Sequence, residues 1–190
     1  MKSIVENIPK SLIYEEVDGK PIYYKGYKAF LLGNNKSGEP MGSSLLQSII
    51  ISRLVFLLHK HLGENYYVLT NELGLQLSKG TWRAADIAIY EKNQIKPNQI
   101  TNKYCEIAPK LVIEIDTKAE IEEVKDTFTY YNKKTDQLLA FGVEKVIWIF
   151  TDTKKVMIAT RDQNWELLNW EKDIEIINGI KLNINQLTEL

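Results

Sequence analysis

Leu111-Val-Ile-Glu-Ile115, read together with Val146-Ile-Trp-Ile-Phe150, decides how this chain folds. Both runs are apolar at alternate and at intervening positions, the pattern of a strand buried on both faces. Between them, residues 118–141 favour a helix with Ala119, Ile121, Val124, Phe128, Tyr131, Leu138, Leu139 and Phe141 as its apolar members. A break is expected near Asn132, and Gly142 closes the helix. Strand, helix and strand in that order form a crossover, and a crossover inside a largely antiparallel set implies a mixed sheet.

Outward from this centre the signals are local. Asp18-Gly19, flanked by Tyr14, Val17, Ile22 and Tyr23, reads as a hairpin turn. After a polar loop, Leu45, Leu46, Ile49, Ile50, Leu54, Leu57 and Leu58 recur at spacings of three and four, which predicts a helix over 43–62. Ser43 or Ser44 is placed to cap it and Gly63 to end it. Short strands are expected at 66–69, 72–77 and 86–90, the second half exposed because Leu73, Leu75 and Leu77 alternate. The turn Asp152-Thr-Lys-Lys leads into Val156-Met-Ile-Ala159, and Trp165 to Leu190 supply further short strands and a last helical turn. One domain, 1–190, is expected, with mixed α/β architecture and a β-hairpin towards each end.

Composition narrows the classes. A chain of 190 residues with 44% hydrophobic and 26% charged residues is that of an ordinary globular protein. Its richest apolar stretch is broken by Gln47, Ser48, Ser52 and Arg53, so no membrane span is expected. The first residues lack the apolar region of a secretory signal, and the single Cys105 allows no intrachain disulfide, so a cytoplasmic location is expected. A net charge of −1 gives no whole-molecule attraction for nucleic acid.

Two carboxylates break the apolar pattern. Glu114 interrupts a strand buried on both faces, where an ionised carboxylate costs several kcal/mol unless a cation or donors compensate it. Asp86 likewise begins an apolar strand. Carboxylates on neighbouring strand ends can hold Mg²⁺, which takes oxygen ligands and keeps some waters. From pattern alone the alternative stands beside this: Glu114 paired with a lysine at a strand end and Asp86 capping a turn.

At these residues the chain resembles the Uma-two-type family of restriction endonucleases, a branch of the PD-(D/E)XK nuclease superfamily. Tyr14-Glu-Glu-Val-Asp-Gly19 is similar to the family's opening Tyr-Glu-x-x-Asp-Gly turn, and Arg83-Ala-Ala-Asp-Ile to its Arg-x-Pro-Asp strand. Leu111-Val-Ile-Glu-Ile-Asp-Thr117 resembles Leu-Val-x-Glu-Val-x-Ser. Lys134, with Gly142-Val-Glu-Lys-Val-Ile-Trp-Ile eight residues on, resembles the closing motif. The resemblance implies a restriction-endonuclease-like sheet flanked by helices and an endonuclease acting on DNA. It implies Asp86 and Glu114 as ligands of Mg²⁺, for which Mn²⁺ substitutes. It also implies Lys134 as a catalytic lysine displaced from the strand onto the next helix, and Glu15 as a further carboxylate. Ala85 stands where the family has proline, Asp116 where the strand lysine usually lies, and Val146 where tyrosine is frequent. The helix over 43–62 carries no Glu.

Lys118 is the rival for the lysine role. His59 and His61, two apart on a helix, cannot face one ligand together; the four tryptophans read as packing residues and Cys105 as inert. Three functional readings stand side by side: a Mg²⁺-dependent endonuclease, an inactive nuclease-like scaffold that binds DNA or a protein partner, and a structural or interaction protein whose acidic residues satisfy local donors. Double-strand cutting by a one-site domain favours a two-fold homodimer.

Overall fold

The computed structural model describes residues 8–33, 42–116, 119 and 126–189. A hairpin of β1 (Ile13–Val17) and β2 (Lys20–Tyr23) opens the chain, followed by a short helix α1 (Tyr27–Leu31) that the sequence pattern did not suggest. The long helix α2 spans Leu45–Leu62. Antiparallel strands β3 (Tyr66–Leu69), β4 (Leu73–Ser78), β5 (Thr81–Ala85) and β6 (Ile87–Glu91) lead to β7 (Leu111–Ile115). Helix α3 (Thr127–Phe141) crosses to β8 (Lys145–Phe150), and β9 (Lys155–Thr160), β10 (Glu166–Asn169), β11 (Asp173–Ile177), β12 (Ile180–Asn183) and α4 (Ile184–Thr188) complete the chain.

The local signals act as expected at the ends of the elements. The Ser44 hydroxyl accepts from Gln47 N at 3.1 Å and caps α2, and the N–H of Gly63 closes the helix on the His59 carbonyl. Asp18 and Gly19 both take positive φ, 53° and 73°, as a two-residue hairpin turn requires. Helix α3 corrects one expectation: it runs through Asn132 without a break, and that side chain donates back to the Phe128 carbonyl at 3.1 Å. The helix also starts later than expected: Asp126 caps α3 and Ala119 forms an antiparallel bridge to Tyr24 in place of a helical turn, while Lys118 and residues 120–125 lie outside the described residues.

The strands form a six-stranded sheet in the order β10-β9-β8-β7-β6-β3 and a four-stranded one in the order β2-β1-β5-β4, with β11 and β12 as a separate hairpin. Strands β7 and β8 are the middle pair of the larger sheet and run parallel, Glu114 opposite Trp148; every other pairing in it is antiparallel. The mixed sheet is therefore as expected, but β4 and β5 belong to a second sheet. The chain passes from one sheet to the other at a single residue, Asp86, between β5 and β6.

Pleating divides the core. Ile87, Ile113, Ile115, Ile147 and Ile149 face α2, whose stripe Ile50, Leu54, Leu58 and Leu62 covers that side. Ala88, Val112, Val146 and Trp148 face α3 with Tyr130, Leu138 and Leu139. The segment Leu45–Asn65 has a mean hydropathy of 1.3, so despite its polar interruptions it is by length and composition alone apolar enough to cross a membrane. Here it is the core helix of a sheet, with Ile50, Leu54 and Leu58 fully buried. Leu54→Ala is expected to cost about 3 kcal/mol of stability, measured by denaturant unfolding, through lost burial and the cavity left behind.

Candidate active site

Every charged side chain that is buried among the described residues belongs to one cluster: Glu15, Arg83, Asp86, Glu114 and Lys134. The register builds it. Ile87 pairs with Ile113 across β6 and β7, so one residue further the same register sets Asp86 opposite Glu114. Because side chains alternate along a strand, Ile113 and Ile115 point to α2 and Glu114 points to α3. Asp86 Oδ2 accepts the Ile115 N–H at 2.8 Å, which fixes the junction against β7. From the other side of the sheet, the Gln47 side chain donates to the Ile115 carbonyl at 2.7 Å.

The four-stranded sheet supplies the second half. Glu16 pairs with Trp82, so Glu15 lies opposite Arg83 on β5. Glu15 Oε2 accepts from Arg83 Nη1 at 2.5 Å and from the Tyr130 hydroxyl at 2.8 Å, and Glu15 Oε1 accepts from Ala84 N at 3.2 Å. Arg83 is itself held by the Gln137 carbonyl oxygen, to which Nε and Nη2 donate.

Lys134 comes from the middle of α3 and is wholly buried. Its Nζ lies 2.8 Å from Glu15 Oε1 and 3.1 Å from Glu114 Oε1, ion-pair distances without the alignment of directed hydrogen bonds. The ammonium also sits 5.4 Å from the Trp148 ring centre, 5.5 Å from that of Tyr14 and 6.0 Å from that of Tyr130. Such rings attract a desolvated cation. The Trp148 indole N–H donates to Thr135 Oγ1 at 2.9 Å, so one wall of this box is locked to the helix that carries the lysine.

The electrostatics separate the two carboxylates. Burial alone would raise Glu15, yet Lys134 and Arg83 hold it below the ordinary carboxylate value. Burial pushes Glu114 up to about 8; Lys134 opposes this, while Asp86 and Glu15 add to it. Burial would lower Lys134, but Glu114 and Glu15 hold it above the ordinary lysine value, so it stays protonated at neutral pH. A carboxyl whose folded pKa exceeds its unfolded value contributes stability that is lost as pH rises between the two. In chelator, the wild-type melting temperature is therefore expected to fall between about pH 4.5 and pH 8 through Glu114. A Glu114→Gln protein scanned over the same range should be flatter, and equal slopes would remove Glu114 as the cause.

Fully ionised, three carboxylates and two cations leave one negative charge in the cluster. Both oxygens of Glu114 are without a hydrogen-bond donor among the described residues. An unsatisfied carboxylate beside a second one fits a divalent cation that takes few protein ligands. No group of three or more His, Cys, Asp or Glu is placed to enclose a metal among the described residues. The donor set thus suits a cation that keeps most of its waters, and not a closed cage.

The structure brings Asp86, Glu114, Lys134 and Glu15 together. Arg83, Tyr130 and Gln47 were not singled out as site residues. Gln47, the one polar residue on the buried stripe of α2, was a signal present in the sequence; Arg83 was not, because its burial follows only from its pairing with Glu15, 68 residues away. His59 and His61 are exposed, and Trp148 and Trp170 are buried packing residues, as expected.

The fold matches that of a solved structure described as a "putative nuclease belonging to DUF820 from Anabaena variabilis ATCC 29413", with a TM-score of 0.69 and 19% identity over 95% of this chain and 92% of that one. Fold and cluster together define a nuclease-like α/β domain. The family model described as "Uma2: Putative restriction endonuclease" matches residues 37–184, and the chain belongs to that family. No curated protein matches it.

Proposed function

We propose that this protein is a Mg²⁺-dependent endonuclease that hydrolyses DNA phosphodiester bonds at the Asp86–Glu114 junction. The observation that supports this most is the Glu114 carboxylate, buried on a central strand with no directed hydrogen bond among the described residues and facing an ammonium that it shares with Glu15. Such a group is costly to a fold that does not use it.

Asp86 and Glu114 would hold the cation. Bound there, it would supply Lewis acidity, lowering the pKa of a water and neutralising charge that develops on phosphate. Lys134, held protonated by Glu114 and Glu15 in the metal-free protein, would serve as an electrostatic partner of the phosphate. Trp148, Tyr14 and Tyr130 exclude water from around the ammonium, which strengthens its field. Glu15 and Arg83 keep the first hairpin closed against β5 and α3.

The net charge of −1 favours a second reading, a scaffold that binds without cutting. Incubation of supercoiled plasmid with Mg²⁺ or Mn²⁺ separates them. Nicked and linear products that vanish in chelator and in Glu114→Gln are expected. Intact plasmid at all metal concentrations would leave the scaffold reading.

A further inference from the structure

Among the described residues, Glu15 is far more heavily partnered than Glu114. Glu15 accepts from Arg83 Nη1, the Tyr130 hydroxyl and Ala84 N, and faces Lys134 at 2.8 Å. A carboxylate offers about four acceptor positions, so these four contacts leave Glu15 little capacity for a metal. Glu114 faces the same ammonium at 3.1 Å and accepts no directed hydrogen bond among the described residues. One ammonium is therefore shared by an anchored carboxylate and an unanchored one. It is held by charge and by three aromatic rings, within ion-pair distance of both oxygens at once.

We propose that Glu15, fixed by Arg83 and Tyr130, is the positioning residue that anchors Lys134, so that the ammonium can release Glu114 to a divalent cation without leaving the site. Lys134 then acts as a resident counter-ion of Glu114 in the metal-free protein. Once a cation binds Glu114, Lys134 stays beside it because Glu15 retains its charge and place. The metal half of this inference rests on the proposed function; the anchoring half does not. Glu15 is thereby assigned away from the further metal carboxylate that the family resemblance implies.

Reductive methylation of lysines in the metal-free protein, read by mass spectrometry, tests the anchor directly. Lys134 is expected to be protected in the wild type and in Glu114→Gln, and to be modified at least tenfold faster in Glu15→Gln. Tyr130→Phe keeps the charge of Glu15 and removes one donor, so it is expected to give a smaller rise with unchanged circular dichroism. Should Glu15→Gln fail to fold, Tyr130→Phe decides, and no rise there overturns the anchor. Equal labelling in Glu114→Gln and Glu15→Gln also overturns it, since Glu114 would then be holding the lysine. Mn²⁺ titration supplies the second arm: Glu15→Gln should still bind Mn²⁺ and Glu114→Gln should not. Loss of Mn²⁺ in Glu15→Gln with Lys134 still protected makes Glu15 a ligand and refutes the proposal. A wild type that binds no Mn²⁺ refutes the proposed function instead, and the labelling contrast then decides the anchor alone.

Discussion

Glu114→Gln is expected to lower plasmid cleavage by at least about 1,000-fold, or about 4 kcal/mol of transition-state stabilisation, while the metal-free protein melts higher than the wild type at pH 8. The two effects have one cause. Glu114 stands buried between Asp86 and Glu15, both of which disfavour its ionised form. The fold tolerates it through Lys134, and an uncharged isostere removes the cost without opening a cavity. The same substitution deletes the oxygen that a divalent cation would take. Calorimetric titration with Mn²⁺ and thermal melts in chelator measure the two halves separately. An unchanged melting temperature combined with lost cleavage would show that Glu114 is satisfied in the metal-free protein by a donor or water.

Lys134→Met is expected to reduce cleavage by about 100-fold, close to 2.7 kcal/mol, with Mn²⁺ bound at least as tightly as in the wild type. Methionine retains the unbranched side chain inside the box of Tyr14, Tyr130 and Trp148, so packing changes little. What disappears is the positive charge that competes with a metal for Glu114. A loss of turnover together with weaker Mn²⁺ binding would mean that the lysine organises the site and does not compete for it. Lys118→Ala, assayed beside it, settles the rival assignment: the lysine role passes to Lys118 if that variant is inactive and Lys134→Met is not.

Much of this was legible in the chain. The runs 111–115 and 146–150 are apolar at every position but one, and burial on both faces is the only setting that pattern fits, so they became the central pair. Glu114 was conspicuous because it violates that rule. Asp86 was visible as a carboxylate at the start of an apolar run, but its place between two sheets was not. Periodicity of two looks the same whether a strand continues its neighbour's sheet or begins another. Strand β5 was missed because Trp82-Arg83 does not read as buried until a partner for the guanidinium is known. That partner, Glu15, lies 68 residues away, beyond any local pattern. Asn132 misled for a chemical reason: its amide bonds within its own helical turn, which satisfies the group that usually interrupts a helix.

The single-residue passage at Asp86 also sets a length constraint. Along β6, Ile87 and Ile89 belong to the α2 side, while Ala88 and Tyr90 belong to the α3 side. Adding or deleting one residue between Ala85 and Ile87 would turn every one of these side chains to the opposite face. Tyr90, whose hydroxyl donates to the Ile107 carbonyl at 3.0 Å, would be driven into the aliphatic layer under α2, and the carboxylate would leave its place across from Glu114. Chains that keep this site can therefore vary what stands at position 85, as Ala85 does here, but they cannot vary the spacing. The junction works as a ruler one residue long.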